Sequence, residues 1–146
     1  MNARFCALAA VSLALATRAP DVCAREIHLD CARSNQTVAV DIDTSRLFVQ
    51  LVWGEGVAEE YQNGDSYVSG PSASGETQKV TYAVSVDKDA VSFGQDRVCS
   101  TAGASGKCRN EHIRNLLDTA SGMLKYDDGG VIALLKCAPA PPGRRF

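Results

Sequence analysis

Hydrophobic and polar residues alternate along much of the chain. The segments 38–42 and 47–53 place apolar side chains at alternate positions, and residues 43–46 between them read Asp-Thr-Ser-Arg. A period of two is typical of strands with one buried face, and short polar residues favour a tight turn. The pattern therefore predicts a β-hairpin over 38–53.

The same alternation recurs further along the chain. A weaker strand at 57–61 is followed by Asn-Gly-Asp at 63–65, which is a strong turn signal. A second hairpin is predicted from 80–86 and 91–93 around Asp-Lys-Asp, and a last strand at 131–137 follows Asp-Asp-Gly-Gly.

Segment 111–127 is compatible with two structures. Ile113 and Leu117 recur at helical spacing, which is typical of an amphipathic helix. The alternative is a strand, a polar turn with Gly122 in the left-handed conformation, and a returning strand. We favour the hairpin because it leads directly into the predicted strand at 131–137.

Together these segments predict an all-β fold. Short strands joined by tight turns favour an antiparallel up-and-down sandwich or small barrel of about eight to ten strands. We expect a single β domain over 25–137. The Pro-rich tail at 138–146 is expected to be extended and flexible, outside the sheet.

The first residues match a secretory signal. One positive charge precedes the apolar run 5–16, which is too short to span a bilayer. Small residues permit cleavage after Ala16 or Ala24, and we favour Ala24 because the earlier cut leaves an odd cysteine, Cys23. The sequence therefore predicts a signal peptide at 1–24 and a periplasmic or secreted mature protein.

The cysteine pattern favours disulfides over a metal site. Cleavage after Ala24 leaves four cysteines, without a Cys-x-x-Cys pair or a zinc-type spacing. The favoured pairing joins Cys99 to Cys108 across a Gly/Ser loop, and Cys31 to Cys137 between the first and last strands. Chain entropy predicts a stabilisation of about 3 kcal/mol for the short loop and about 4 to 5 kcal/mol for the long one.

The formal net charge of −2 narrows the range of partners. Mild acidity gives no support for binding to nucleic acid or to an anionic membrane surface. After signal cleavage we expect no stable membrane insertion, and an envelope protein or a small ligand remains as the expected partner.

No catalytic motif stands out, so no catalytic residue, cofactor or metal is predicted. The sequence contains neither a Gly-x-Ser-x-Gly elbow nor a His-Glu-x-x-His motif. We expect a non-catalytic envelope protein that presents loops from a rigid scaffold to a partner or ligand, with Trp53, Tyr82 and Phe93 in the core. The alternatives are a lipocalin-like carrier with a deep apolar cavity and a small hydrolase, which would need His28 or His112 beside carboxylates.

A resemblance at one loop gives a sharper hypothesis. The signal peptide, the cysteines near both ends of the mature domain and the repeated hairpins resemble small exported bacterial β proteins of uncharacterised function. The loop Ser-Ala-Ser-Gly at 72–75 is similar to the Ser-x-Ser-Gly loop of periplasmic inhibitors of C-type lysozyme. In that family the loop serine and a following lysine enter the lysozyme cleft. The resemblance implies a partner-binding loop with Ser72, Ser74 and Lys79, which a lysozyme assay with excess purified protein would test.

Overall fold

The computed structural model describes residues 25–104, 106 and 108–143. The predicted signal peptide at 1–24 lies outside these residues. Ten antiparallel strands form one curled half-barrel sheet, and the described part of the chain contains no helix, so the predicted all-β class is confirmed. The strands are β1 (Glu26–Arg33), β2 (Gln36–Asp43), β3 (Phe48–Trp53), β4 (Ala58–Gln62), β5 (Ser66–Val68), β6 (Thr77–Val86), β7 (Ala90–Thr101), β8 (Glu111–Asp118), β9 (Met123–Asp127) and β10 (Ile132–Pro139).

The strand order is up-and-down. Neighbours in the sheet follow the order β4-β3-β2-β1-β10-β9-β8-β7-β6-β5, so the first strand pairs with the last. Of the two arrangements predicted from the sequence, the structure has the barrel-like one, because every strand of the described residues belongs to a single sheet that curls on itself.

The two edges of the sheet meet at the turn between β4 and β5. These strands are consecutive in the chain but lie at opposite edges. The Gly64 N–H donates to the Tyr82 carbonyl at 3.0 Å, and the Val84 N–H donates to Asn63 Oδ1 at 3.0 Å. The turn therefore ties the end of β4 to β6 and holds the sheet in its curl.

Alternate side chains fill the inner face of the half-barrel. Because successive residues of a strand point to opposite faces, each strand contributes every second residue to this core. Burial of these side chains removes apolar surface from water, which is the dominant favourable contribution to folding. The least exposed of them are Val40, Val49, Leu51, Phe93, Leu117, Leu124 and Leu135.

Segment 111–127 forms the predicted hairpin, and the helical alternative is wrong. Leu117 lies opposite Leu124 and both are fully buried, whereas Leu116 is 44% exposed on the outer face. Gly122 adopts a φ of 67° in the turn. The period-two burial of β8 therefore outweighs the helical spacing of its leucines.

Both predicted disulfides are present. Cys31 is bonded to Cys137 across the β1–β10 pair, and Cys99, near the end of β7, is bonded to Cys108 in the loop that precedes β8. Cys31 is itself almost fully buried in the core. Disulfides form and persist in oxidising compartments, which places the folded protein outside the cytosol.

The sheet continues beyond Cys137, where we predicted that the domain ends and a flexible tail begins. Ala138 lies opposite Asp30 and Pro139 lies opposite Leu29, so that boundary is two residues short. The proline is tolerated because only β1 lies beside β10 at this point and no ladder hydrogen bond on the other side is lost.

The half-barrel has two ends, which carry different turns and loops. The lower end carries the turns at 44–47, 87–89 and 119–122. The upper end carries the turns at 34–35, 54–57 and 128–131, together with the longer loops that follow β5 and β7. No helix among the described residues is long and apolar enough to cross a membrane.

Candidate binding site

The aromatic residues converge in the upper half of the inner face. All four tyrosines of the chain and its only tryptophan belong to this group. The rings contact one another in pairs, with centroid distances of 4.9 Å for Trp53 and Tyr126, 5.6 Å for Tyr61 and Tyr82, and 6.1 Å for Tyr67 and Tyr82. Such edge-on and tilted pairs are favourable beyond their buried area and hold the rings in fixed orientations.

Glu59 lies at the centre of this group. Its carboxylate accepts hydrogen bonds from Trp53 Nε1–H at 2.8 Å and from the Tyr61 hydroxyl at 2.8 Å. The Tyr126 hydroxyl donates to both carboxylate oxygens, at 2.9 and 3.0 Å. We call Trp53, Glu59, Tyr61 and Tyr126 the aromatic–carboxylate cluster.

The curl of the sheet makes this cluster possible. Glu59 and Tyr61 are two residues apart on β4 and therefore point to the same face. Tyr126 lies on β9, which is separated from β4 by four strands in the sheet order. Its hydrogen bonds to Glu59 cross the concave interior and connect parts of the sheet that share no backbone pairing.

The turn after β3 fixes Trp53. The Trp53 N–H donates to the Val57 carbonyl at 2.9 Å, and the Gly56 N–H donates to the Trp53 carbonyl at 2.7 Å. Gly56 has a φ of 80°, a conformation that glycine adopts without the steric cost of a side chain. The indole is therefore held both by its backbone and by Glu59.

Asn115 supports the opposite wall. This fully buried side chain accepts a hydrogen bond from the Asp127 N–H at 2.7 Å, at the level where β8 and β9 no longer pair. Its Nδ2 has no partner in the described part of the chain. The Asn115 side chain therefore takes the place of a backbone hydrogen bond between β8 and β9 and fixes the backbone next to Tyr126.

The electrostatics of the cluster fix which groups donate. Burial, followed by the hydrogen bond to Glu59, raises the pKa of Tyr61 and of Tyr126 far above the ordinary value of 10.0. Burial and the neighbouring Tyr67 also raise the pKa of Tyr82. The phenols therefore remain protonated donors over the whole physiological pH range.

All the hydrogen bonds described for the Glu59 carboxylate come from neutral groups. No basic side chain of the described residues lies within ion-pair distance of its carboxylate. Hydrogen bonds from neutral groups stabilise an ionised carboxylate when its hydration is reduced. The cluster is thus a rigid, preorganised arrangement of three rings around one acceptor.

A groove opens beside this cluster at the upper end. Its volume is about 660 Å³, and both Trp53 and Tyr126 line it. The remaining lining residues come from the β1–β2 turn and the start of β2, and from the turn between β3 and β4: Asn35, Gln36, Thr37, Gly54, Glu55 and Val57. A second groove, of about 440 Å³, lies at the lower end between Ile27, Val86 and Leu117.

The serines of the predicted partner-binding loop lie close together. Ser72 Oγ and Ser74 Oγ are 2.9 Å apart, and the Ser74 carbonyl accepts a hydrogen bond from the Ala104 N–H at 2.9 Å. Lys79 lies on β6, opposite Val98, and is exposed. The described contacts do not join Lys79 to the serines, and the partner-binding role of all three residues stays a prediction.

Each histidine lies beside a carboxylate on the outer face. His28 Nδ1 is 2.5 Å from Asp41 Oδ1, and His112 Nδ1 is 2.8 Å from Asp96 Oδ1. Among the described residues, neither imidazole is hydrogen-bonded to a hydroxyl or a thiol, and no group of three or more His, Cys, Asp or Glu residues is arranged to hold a metal. The acid–imidazole pairs that a hydrolase needs are present, but no nucleophile joins them in this part of the chain.

Most of the aromatic–carboxylate cluster was not predicted from the sequence. Trp53 and Tyr82 were expected in the core, and they pack against it while remaining half-buried; only Phe93 is fully buried. The alternation of Glu59 and Tyr61 indicates a shared face, but nothing local to β4 indicates that Tyr126 lies across from it.

Comparison with known proteins adds no family to this description. No protein-family model, no curated protein and no solved structure matches the chain.

Proposed function

We propose that this protein is an exported, non-catalytic binding module that holds a small ligand, or a projecting group of an envelope partner, at the upper end of the half-barrel. The observation that carries the proposal is the convergence of Trp53, Tyr61 and Tyr126 on one carboxylate beside an open groove. Concave sites lined by aromatic rings with a few placed polar groups are typical of ligand pockets.

Side chains fill the middle of the half-barrel, which favours a shallow site at one end rather than a deep internal cavity. A lipocalin-like carrier requires a continuous apolar cavity, and here Leu51, Phe93 and Leu135 occupy the interior with no exposed surface. Ligand contacts are therefore available at the ends of the half-barrel, where the lining side chains are half-buried or exposed.

The two disulfides support export. A reducing cytosol disfavours both bonds, whereas a periplasmic or extracellular location maintains them. The predicted signal peptide at 1–24 agrees with this location.

The substitution Glu59→Gln tests the proposal. Glutamine keeps the side-chain size but has one acceptor oxygen and two N–H donors, so at least one of the three donors to Glu59 loses its partner. We expect the free energy of unfolding to fall by about 1–3 kcal/mol. We also expect weaker binding of any compound that changes the fluorescence of Trp53, the only tryptophan.

Wild type and variant are titrated with neutral sugars, quaternary ammonium ions, acyl carboxylates and short peptides. Glu60→Gln is the matched control, because Glu60 is exposed on the opposite face of β4 and bonds only to Gln50 in the described contacts. The proposal predicts saturable binding of at least one class, weakened by Glu59→Gln and unchanged by Glu60→Gln. Binding by none of the classes, or equal binding by all three proteins, would contradict it.

A further inference from the structure

The side chains that line the groove at the upper end favour one class of ligand over others. We propose that it is a saccharide-binding site, in which a neutral pyranose ring packs against Trp53 and Tyr126. This inference rests on the proposed binding function and names its ligand class.

The aromatic side of the groove presents carbon surface. Trp53 Nε1–H and the Tyr126 hydroxyl are both engaged by Glu59, so the polar tips of these side chains are turned away to the carboxylate. What remains for a ligand is the ring surface of each residue, and the two rings meet at an interplanar angle of 71°. The axial C–H groups of a pyranose form an apolar patch that fits against such a wall and gains dispersion contacts.

The opposite side of the groove presents polar groups that are available to a ligand. Among the described residues, the side-chain amides of Asn35 and Gln36 and the hydroxyl of Thr37 make no hydrogen bond. Amides and hydroxyls both donate and accept, which is also the property of sugar hydroxyl groups. A ligand whose one face is carbon and whose rim is hydroxyl therefore matches both sides of the groove.

The charge of the groove argues against anionic ligands. Its lining contains one charged side chain, the exposed carboxylate of Glu55, and no basic residue. A carboxylate accepts strong hydrogen bonds from neutral hydroxyl groups, whereas it repels phosphates and carboxylates. A neutral saccharide satisfies Glu55 without needing a counter-ion.

Gly54 allows the two backbone segments that line the groove to pack closely together. A Cβ atom at Gly54 would lie 2.8 Å from Thr37 Oγ1, so a larger residue there would displace the Thr37 side chain from its position. Glycine keeps the start of β2 close to the β3–β4 turn, and the Gly54 N–H donates to the Thr37 carbonyl at 2.9 Å. The start of β2 and the β3–β4 turn thus form one continuous polar rim.

Titration of the intact protein with oligosaccharides tests the inference. The probes are the trimer of N-acetylglucosamine, cellotriose and maltotriose, with choline and lauric acid as probes of other classes. Binding is followed by Trp53 fluorescence and, for variants of Trp53, by calorimetry. We expect at least one trisaccharide to bind saturably and neither choline nor lauric acid to perturb Trp53.

Two variants locate the site. We expect Gln36→Ala to weaken saccharide binding about fivefold, the usual effect of one lost hydrogen bond, and Trp53→Ala to weaken it at least about tenfold. Gln36 is the exposed first residue of β2, so its variant reports on binding even if Trp53→Ala proves poorly folded by circular dichroism. Gln50→Ala, on the outer face, is the control and should bind as the wild type does.

The outcomes separate the two proposals. Binding of choline or lauric acid without any trisaccharide would overturn the saccharide assignment and leave the binding function in place. Failure of every probe would overturn the assignment and count against a binding role for this end. Saccharide binding that is unaffected by both Gln36→Ala and Trp53→Ala would show that the ligand lies elsewhere.

Discussion

At the scale of single residues, Glu59 contributes more to the upper end than its half-buried position on an edge strand suggests. One carboxylate satisfies the polar tips of three aromatic side chains that come from β3, β4 and β9. Hydrogen bonds to a charged acceptor are stronger than neutral ones. Glu59 therefore converts three rings with independent rotamers into one rigid wall.

Asp43 performs a similar role at the lower end, in the turn between β2 and β3. Its carboxylate accepts hydrogen bonds from the Ser45 hydroxyl at 2.6 Å and from the Arg46 N–H at 3.1 Å. These bonds, first that from the Ser45 hydroxyl and then those from Arg46, hold the pKa of Asp43 far below its ordinary value of 3.8. The ionised form is thus preferred in the folded state.

This shift predicts an acid dependence of stability. A carboxyl group with a lowered pKa in the folded state stabilises that state at pH values above 3.8, and the contribution is lost as the pH falls through the lowered pKa. We expect Asp43→Asn to be less stable than the wild type at pH 6 and the difference between them to narrow progressively below pH of about 4. Urea unfolding at a series of pH values measures both curves, and a constant difference down to pH of about 2 would contradict the assignment.

At the scale of strands and turns, the sequence contains most of what is needed. Alternation located the hairpins, and in β8 the buried Leu117 beside the exposed Leu116 shows why a period of two was the better interpretation. The alternation does not indicate which residues distant in sequence contact each other in the folded protein. Glu59 and Tyr126 are 67 residues apart and meet only because the sheet curls. The end of β10 was misplaced for a related reason, since Pro139 is acceptable only where no second neighbour pairs with the strand.

The pairing of β7 with β8 depends on one glycine. Gly94 is buried, and a Cβ atom at this position would come within 2.0 Å of the Ile113 carbonyl oxygen. Because that oxygen belongs to the backbone of the neighbouring strand, the clash cannot be relieved by a rotamer change. We expect Gly94→Ala to destabilise the protein by about 1–3 kcal/mol or more, as other overpacking substitutions do.

Gly70 supplies the matched control for this substitution. It lies in the loop after β5, and a Cβ atom there would have no heavy atom within 4 Å. We expect Gly70→Ala to change the free energy of unfolding by less than about 0.5 kcal/mol. Chemical denaturation of both variants compares them directly, and equal effects would show that the close approach of β7 and β8 is relieved by a small backbone shift.

At the scale of the whole molecule, the fold is a series of antiparallel hairpins that is closed by a small number of contacts between residues distant in sequence. The first and last strands are joined by backbone pairing and by the Cys31–Cys137 bond, and the two sheet edges meet through Asn63 and Gly64. Contacts of this kind bring together residues far apart in sequence. Forming such contacts requires the closure of long loops, which costs conformational entropy. A disulfide that closes a long loop is therefore expected to stabilise the fold more than one that closes a short loop.

The two disulfides should therefore differ in their effect on stability. Cys31 and Cys137 are separated by 106 residues, and Cys99 and Cys108 by 9. Loop-closure entropy predicts a loss of about 5 kcal/mol when the long bond is removed and about 3 kcal/mol when the short bond is removed. Removal of the long bond also truncates Cys31, which is 1% exposed, so a packing loss adds to the entropic one.

Two double variants measure this difference. Urea unfolding of Cys31→Ala/Cys137→Ala and of Cys99→Ala/Cys108→Ala gives the two free-energy losses under identical conditions. We expect the first variant to lose at least about 2 kcal/mol more than the second. If the two losses were equal, the β1–β10 pairing would already be formed in the unfolded ensemble, and the covalent bond would add little to a closure that the chain achieves without it.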